Sequence, residues 1–193
     1  MILQFCGLSG AGKSTLARAI EIELQHAGVE IEILDGDEYR STLCKDLGFT
    51  KEARNENIRR MTFVAHQLAK HGVVSVICAI NPYDKLRKEI AAIYPDVKTV
   101  FIDCAVETLA VRDTKGLYRK AMLPDSHPEK INNLTGVNDP FEKPVDPDLY
   151  INTGKETVES AVKKITALIM MHVKKQRHYI YPSVFPNYTA LRS

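Results

Sequence analysis

Gly7-Leu8-Ser9-Gly10-Ala11-Gly12-Lys13-Ser14-Thr15 satisfies G-x-x-x-x-G-K-[ST], and its flanks decide the fold. Upstream, Ile2 to Cys6 is an apolar run that reads as a buried strand. Downstream, Leu16, Ala17, Ala19, Ile20 and Leu24 recur at helical spacing. A strand, a glycine-rich turn and a helix in that order make a phosphate-binding loop. Its glycines let the backbone aim several N–H groups into one cup, and the following helix adds partial positive charge at the same place. Gly10, Ala11, Gly12, Lys13, Ser14 and Thr15 are the residues expected to hold a nucleoside triphosphate. Lys13 brings a mobile cation to the β- and γ-phosphates, and the Ser14 hydroxyl is a ligand for Mg²⁺.

Further apolar runs follow at Ile31–Leu34, Val73–Ile80, Val97–Ile102 and Leu149–Ile151, separated by helical patterns. Short β-branched runs alternating with helices predict an α/β fold of three layers, a central parallel sheet covered by helices on both faces. The whole reads as a P-loop domain over residues 1–178, with a lid at about 112–147 and an aromatic, proline-rich tail at 179–193. Active residues in such a fold lie just past the carboxyl ends of the strands. The chain has 193 residues and a net charge of +2, too small a charge to argue for a nucleic acid or membrane partner. No apolar run approaches a membrane span, and with the loop starting at residue 7 no signal peptide is expected. Cys6, Cys44, Cys78 and Cys104 show no C-x-x-C spacing and read as buried structural thiols, in keeping with a reducing cytoplasm.

Several candidates sit where the strand-end rule asks for them. Asp35-Gly36-Asp37 places two carboxylates beside the loop, ready for a phosphate-bound metal or an acceptor hydroxyl. A helix over about 50–70, capped by Thr50, carries Ile58, Met61, Ala65 and Leu68 on one core stripe. Arg54 falls on that stripe and Asn57 near its edge, so both point inward and need polar partners, which an anionic ligand would supply. Arg59 and Arg60 point elsewhere, to a solvated face. Beyond the third strand, Asn81-Pro82-Tyr83 reads as a rigid rim. The basic, Pro- and Gly-bearing stretch from Arg112 to Pro147 reads as a lid over phosphates. Residues 156–176 form a closing amphipathic helix through Val158, Ala161, Val162, Ile165, Ile169 and Val173. The tail from Tyr179 to Tyr188 is read as non-helical.

The particular words narrow this further. Asp35-Gly36-Asp37 with Arg40, Asp46-Leu47-Gly48-Phe49, Arg54 to Arg60, Lys115-Gly116-Leu117-Tyr118 and Thr135 to Glu142 together resemble the adenylylsulfate kinase family, from the first strand to about residue 154. The resemblance implies that ATP, with Mg²⁺, phosphorylates the ribose 3′-hydroxyl of adenosine 5′-phosphosulfate (APS). It implies acceptor contacts from Asp37 and Arg40, with Phe49 stacking on the adenine. Arg54, Asn57, Ile80, Asn81, Lys115, Asn133 and Leu134 would complete that pocket. Asp35 would act on Mg²⁺ through water, Asp37 would orient or deprotonate the hydroxyl, and Lys13 would stabilise the transferring phosphoryl. A homodimer is also implied. Two departures stand out. Asn81 occupies the position of a family serine proposed to carry a phosphoryl group, so direct in-line transfer is expected. Asp84 replaces a family arginine. Two alternatives remain open at this point: a kinase for another small-molecule hydroxyl, or a non-catalytic nucleotide sensor.

Overall fold

The structure, a computed structural model, describes residues 1–180, with side chains described as far as residue 174. Five strands, β1 (Ile2–Cys6), β2 (Ile31–Asp35), β3 (Val74–Cys78), β4 (Val97–Asp103) and β5 (Leu149–Asn152), form one parallel sheet in the order β2-β3-β1-β4-β5. All of β1 and β3 is buried, as central strands covered on both faces must be. Because β1 lies between β3 and β4, its carboxyl end opens where the chain switches from one half of the sheet to the other. That is the crevice where α/β proteins bind ligands.

Helices α1 (Lys13–His26) and α7 (Val158–Ile180) cover one face, and α3 (Lys51–Lys70) and α4 (Asp84–Ile93) cover the other. The first core gathers Leu3, Phe5, Leu16, Ile20, Leu24, Val76, Ile102, Ile165 and Ile169; the second gathers Ile2, Leu34, Ile58, Met61, Ala65, Ile77, Leu86 and Ile90. Residues two apart on β1 therefore feed opposite cores from their neighbours, as the strand period of two requires. The Thr50 hydroxyl caps α3 by accepting from Ala53 N at 3.2 Å. The predicted inward stripe is present, with Arg54 and Asn57 buried on it alongside Ile58, Met61 and Ala65.

Three shorter helices, α2 (Gly36–Ser41), α5 (Val106–Arg112) and α6 (Leu117–Ala121), complete the described elements. The predicted lid holds α6 and is otherwise largely irregular from Asp113 to Asp148. The closing helix runs longer than expected, to Ile180, so Tyr179 and Ile180 are helical where a non-helical tail was predicted. The rest of that tail lies outside the described residues. Val158 opens the helix and is half exposed rather than part of its buried stripe. Among the described residues no helix is long and apolar enough to cross a membrane. All four cysteines are buried free thiols, as expected.

Candidate active site

The site is built at the carboxyl ends of β1, β2 and β3, and Lys115, Asn133 and Leu134 of the segment predicted as a lid also line it. Gly7 ends β1 so close to β4 that a Cβ there would lie 2.2 Å from Ile102 O. Gly12 caps α1 in the left-handed region, with φ of 96°, which turns the loop into the helix. Lys13 Nζ is folded back and donates to Gly7 O at 2.8 Å and Leu8 O at 2.7 Å. Burial pushes its pKa down to about 8. The ammonium is thus held at the mouth of the cup by acceptors that phosphate oxygens could replace.

Asp35 has two jobs. Its Oδ2 accepts from Ser14 Oγ at 2.8 Å, and its Oδ1 caps α2 by accepting from Asp37 N at 2.9 Å. No group of three or more His, Cys, Asp or Glu able to hold a metal occurs among the described residues. A metal here would depend on phosphate oxygens and water. The paired Ser14 hydroxyl and Asp35 carboxylate beside the loop fit Mg²⁺ in that role, with hard oxygen donors and few protein ligands.

Across the same cleft, of about 710 Å³, stands a second wall. Phe49 is 55% exposed, with the Arg40 guanidinium 4.6 Å above its ring and that of Arg54 at 5.7 Å. Asn57 is buried. Its Nδ2 has only the sulfur of Met61, at 3.5 Å, and its Oδ1 has no partner among the described residues. An orphaned buried amide on a cleft wall is a group that a ligand or water would satisfy. Lys115, from the lid, forms an ion pair with Asp37 across the opening. Ile80 and Asn81 line the floor, and Asn133 and Leu134 the underside of the lid. Every residue assigned to the acceptor pocket thus meets in one cleft with the phosphate loop.

Two expectations need correction in detail. Arg54 finds its polar partners within the protein, donating to Phe49 O at 2.9 Å, Thr135 Oγ1 at 3.1 Å and Asn133 O at 2.7 Å, with the Asp139 carboxylate at 3.5 Å. It sutures α3 to the lid and does not await a ligand unpaired. Asn81 and Tyr83, expected as a rigid rim, are buried, at 1% and 3% exposed. Arg87 draws the loop inward. Its Nη1 donates to Asn81 O at 2.6 Å, and its Nη2 donates to Glu142 O and, at 3.2 Å, to Asp84. Asp84, the departure from the family arginine, is neutralised locally by Arg87 and by Lys88 at 2.6 Å. These partners hold its carboxyl below the usual range, the Lys88 hydrogen bond most. Arg59 and Arg60 lie on the surface as expected, paired with Glu89 and with Asp46 and Glu56.

Sequence reasoning quoted Tyr118, Gly136 and Glu142 but gave them no part in seating the lid. The Tyr118 hydroxyl donates to Ser9 O at 2.8 Å, Gly136 packs on Leu8, and Glu142 N reaches Pro82 O at 2.9 Å. Thr135, fully buried under Arg54, carried no periodic or compositional signal.

The family model described as adenylylsulphate kinase matches residues 1–152. An adenylyl-sulfate kinase of Deinococcus deserti is 46% identical over 164 residues, covering 85% of this chain and 88% of its own. A probable bifunctional SAT/APS kinase of Sorangium cellulosum is 46% identical over 166 residues; the match covers 86% of this chain but 28% of that longer protein. Among solved structures, the Mycobacterium tuberculosis APS kinase in complex with AMPPNP and APS superposes with a TM-score of 0.79 at 34% identity, covering 88% of this chain and 96% of that one.

Proposed function

The chain belongs to the adenylylsulphate kinase family, and from that premise we propose the roles its residues take in the family's reaction. The enzyme transfers the γ-phosphoryl group of ATP to the ribose 3′-hydroxyl of APS, giving 3′-phosphoadenosine 5′-phosphosulfate and ADP. One bond forms between the 3′-oxygen and the γ-phosphorus, and the bond from that phosphorus to the bridging β-oxygen breaks. The observation that carries the reading is the single cleft in which Gly10 and Gly12–Thr15 of the loop face Phe49, Arg54, Asn57 and Asp37.

The donor's phosphates sit in the loop, drawing Lys13 off the Gly7 and Leu8 carbonyls. Ser14, and Asp35 through water, would hold Mg²⁺, which when bound would supply positive charge to offset that of the transferring phosphoryl group. The acceptor's adenine lies on Phe49, between the cation-bearing side chains of Arg40 and Arg54. Asp37, released from Lys115, orients the 3′-hydroxyl and accepts its proton; Lys115 is then free for an anionic oxygen of either nucleotide. Transfer is direct and in line, since an asparagine at position 81 offers no hydroxyl to carry a phosphoryl group. A homodimer in the cytoplasm completes the proposal, and its mass in solution is read by light scattering.

The test is ADP release over a panel of acceptors. Turnover with APS and none with shikimate or gluconate is expected. The reverse pattern, or binding of ATP and APS with no product over hours, would overturn the assignment.

A further inference from the structure

β1 is apolar at every position but one. Gln4, 0% exposed, stands in register with Ile77 of β3 and Thr99 of β4. The strand period sends its side chain to the face that Ile2 serves, toward α4. A primary amide sealed there must find its own partners. Its Nε2 donates to Thr99 Oγ1 at 2.8 Å and to the main-chain oxygen of Arg87 at 3.3 Å. A carbonyl oxygen only accepts, so the nitrogen must lie on that side and Oε1 must face the other way. Oε1 accepts from Asn81 Nδ2 at 3.1 Å.

The amide of Asn81 is thereby fixed in its turn, nitrogen toward Gln4 and oxygen left over. Asn81 lines the cleft, is 1% exposed, and its Oδ1 has no partner among the described residues. Its backbone is held as firmly. With φ of 46° it sits in the left-handed region that asparagine tolerates, and its carbonyl is gripped by Arg87. A buried acceptor so fixed calls for a donor. Phosphate and sulfate oxygens offer none at neutral pH. The donors on an adenosine nucleotide are its ribose hydroxyls and the adenine amino group. Asn81 lies three residues beyond Cys78, which is in register with Asp35, and so belongs to the reacting end of the cleft.

Resting on the proposed function, we infer that Gln4 is a positioning residue. It locks the Asn81 amide so that Oδ1 accepts a hydrogen bond from a ribose hydroxyl of the acceptor nucleotide. Asn81 thus selects for an intact sugar edge instead of carrying a phosphoryl group.

The experiment measures the affinity of APS, 2′-deoxy-APS and 3′-deoxy-APS by calorimetry with ADP present, in wild type, Asn81→Ala and Gln4→Met. One deoxy analogue binds wild type about 5- to 100-fold more weakly than APS, the penalty for an unpaired buried acceptor. That penalty shrinks about 5-fold or more in both variants, while ATP affinity is unchanged. A general loss of structure would weaken all three ligands alike and leave the ratio standing. Gln4→Leu, which likewise offers Asn81 Nδ2 no acceptor, replaces Gln4→Met if the latter does not fold. Equal binding of all three by wild type, or a penalty undiminished in the variants, overturns the inference. Wild type releasing no ADP with APS would instead remove the proposed function. Normal turnover with unaltered analogue ratios removes only this inference.

Discussion

Replacing Arg54 with Met keeps a long apolar stem on α3 and deletes the guanidinium that sutures that helix to the lid. Two of its hydrogen bonds cross to lid residues, to Asn133 O at 2.7 Å and Thr135 Oγ1 at 3.1 Å, and the Asp139 carboxylate lies at 3.5 Å. Bonds from a charged donor contribute about 1.5–3 kcal/mol each, so the crossing pair has a face value of about 3–6 kcal/mol. Asn133 is exposed and the Asp139 side chain is 24% exposed, so both rehydrate when the cation is lost. Halving the sum for that screening leaves about 1.5–3 kcal/mol on lid seating, or about 10- to 150-fold in its opening equilibrium. Hydrogen exchange reads this directly. The amides of Gly136, Val137, Asn138 and Asp139 are bonded within the turn that Arg54 clamps. They should exchange faster by that factor in Arg54→Met, with β1 and β3 unchanged. Lid exchange within about threefold of wild type would refute the suture and return Arg54 to a purely ligand-binding role.

Lys13→Ala should reduce turnover by about a thousandfold or more, because the loop loses its only side-chain cation, whereas Asn81→Ser should stay within about tenfold; steady-state ADP release checks both. Gly136→Ala places a Cβ 2.5 Å from Leu8 Cδ2 at a φ of 89°. The expected loss is about 1–3 kcal/mol of stability, seen as a lowered melting temperature. Burial raises the Cys6 and Cys78 thiols to about 12. Both should resist a thiol reagent at pH 8 until urea is added. With folded values above the unfolded ones, the unfolded chain releases these protons first, so stability should fall as pH rises past about 9, followed by urea midpoints.

The sheet, its flanking helices and the phosphate loop were legible because each is written in local periodicity. So was the inward placement of Arg54 and Asn57, which follows from the angle between helical positions. What those side chains meet was not legible. Two partners of Arg54 lie 79 and 81 residues away in an irregular segment. The burial of Asn81 depends on Arg87 and on Glu142, which contact each other across 55 residues. Helix α2 was hidden because it begins directly after β2, with Asp35 serving at once as strand end, helix cap and partner of Ser14. Gln4 was passed over inside a run read as apolar, and only the strand register explains it.

Two cations of the cleft are engaged within the protein: Lys13 rests on two carbonyls and Lys115 on Asp37. Arrival of the two nucleotides is then a swap of counterparts and does not require bare ions to be stripped of water. Affinity won by such substitution should respond only gently to added electrolyte, and the cleft can empty after each turnover without stranding an ion inside.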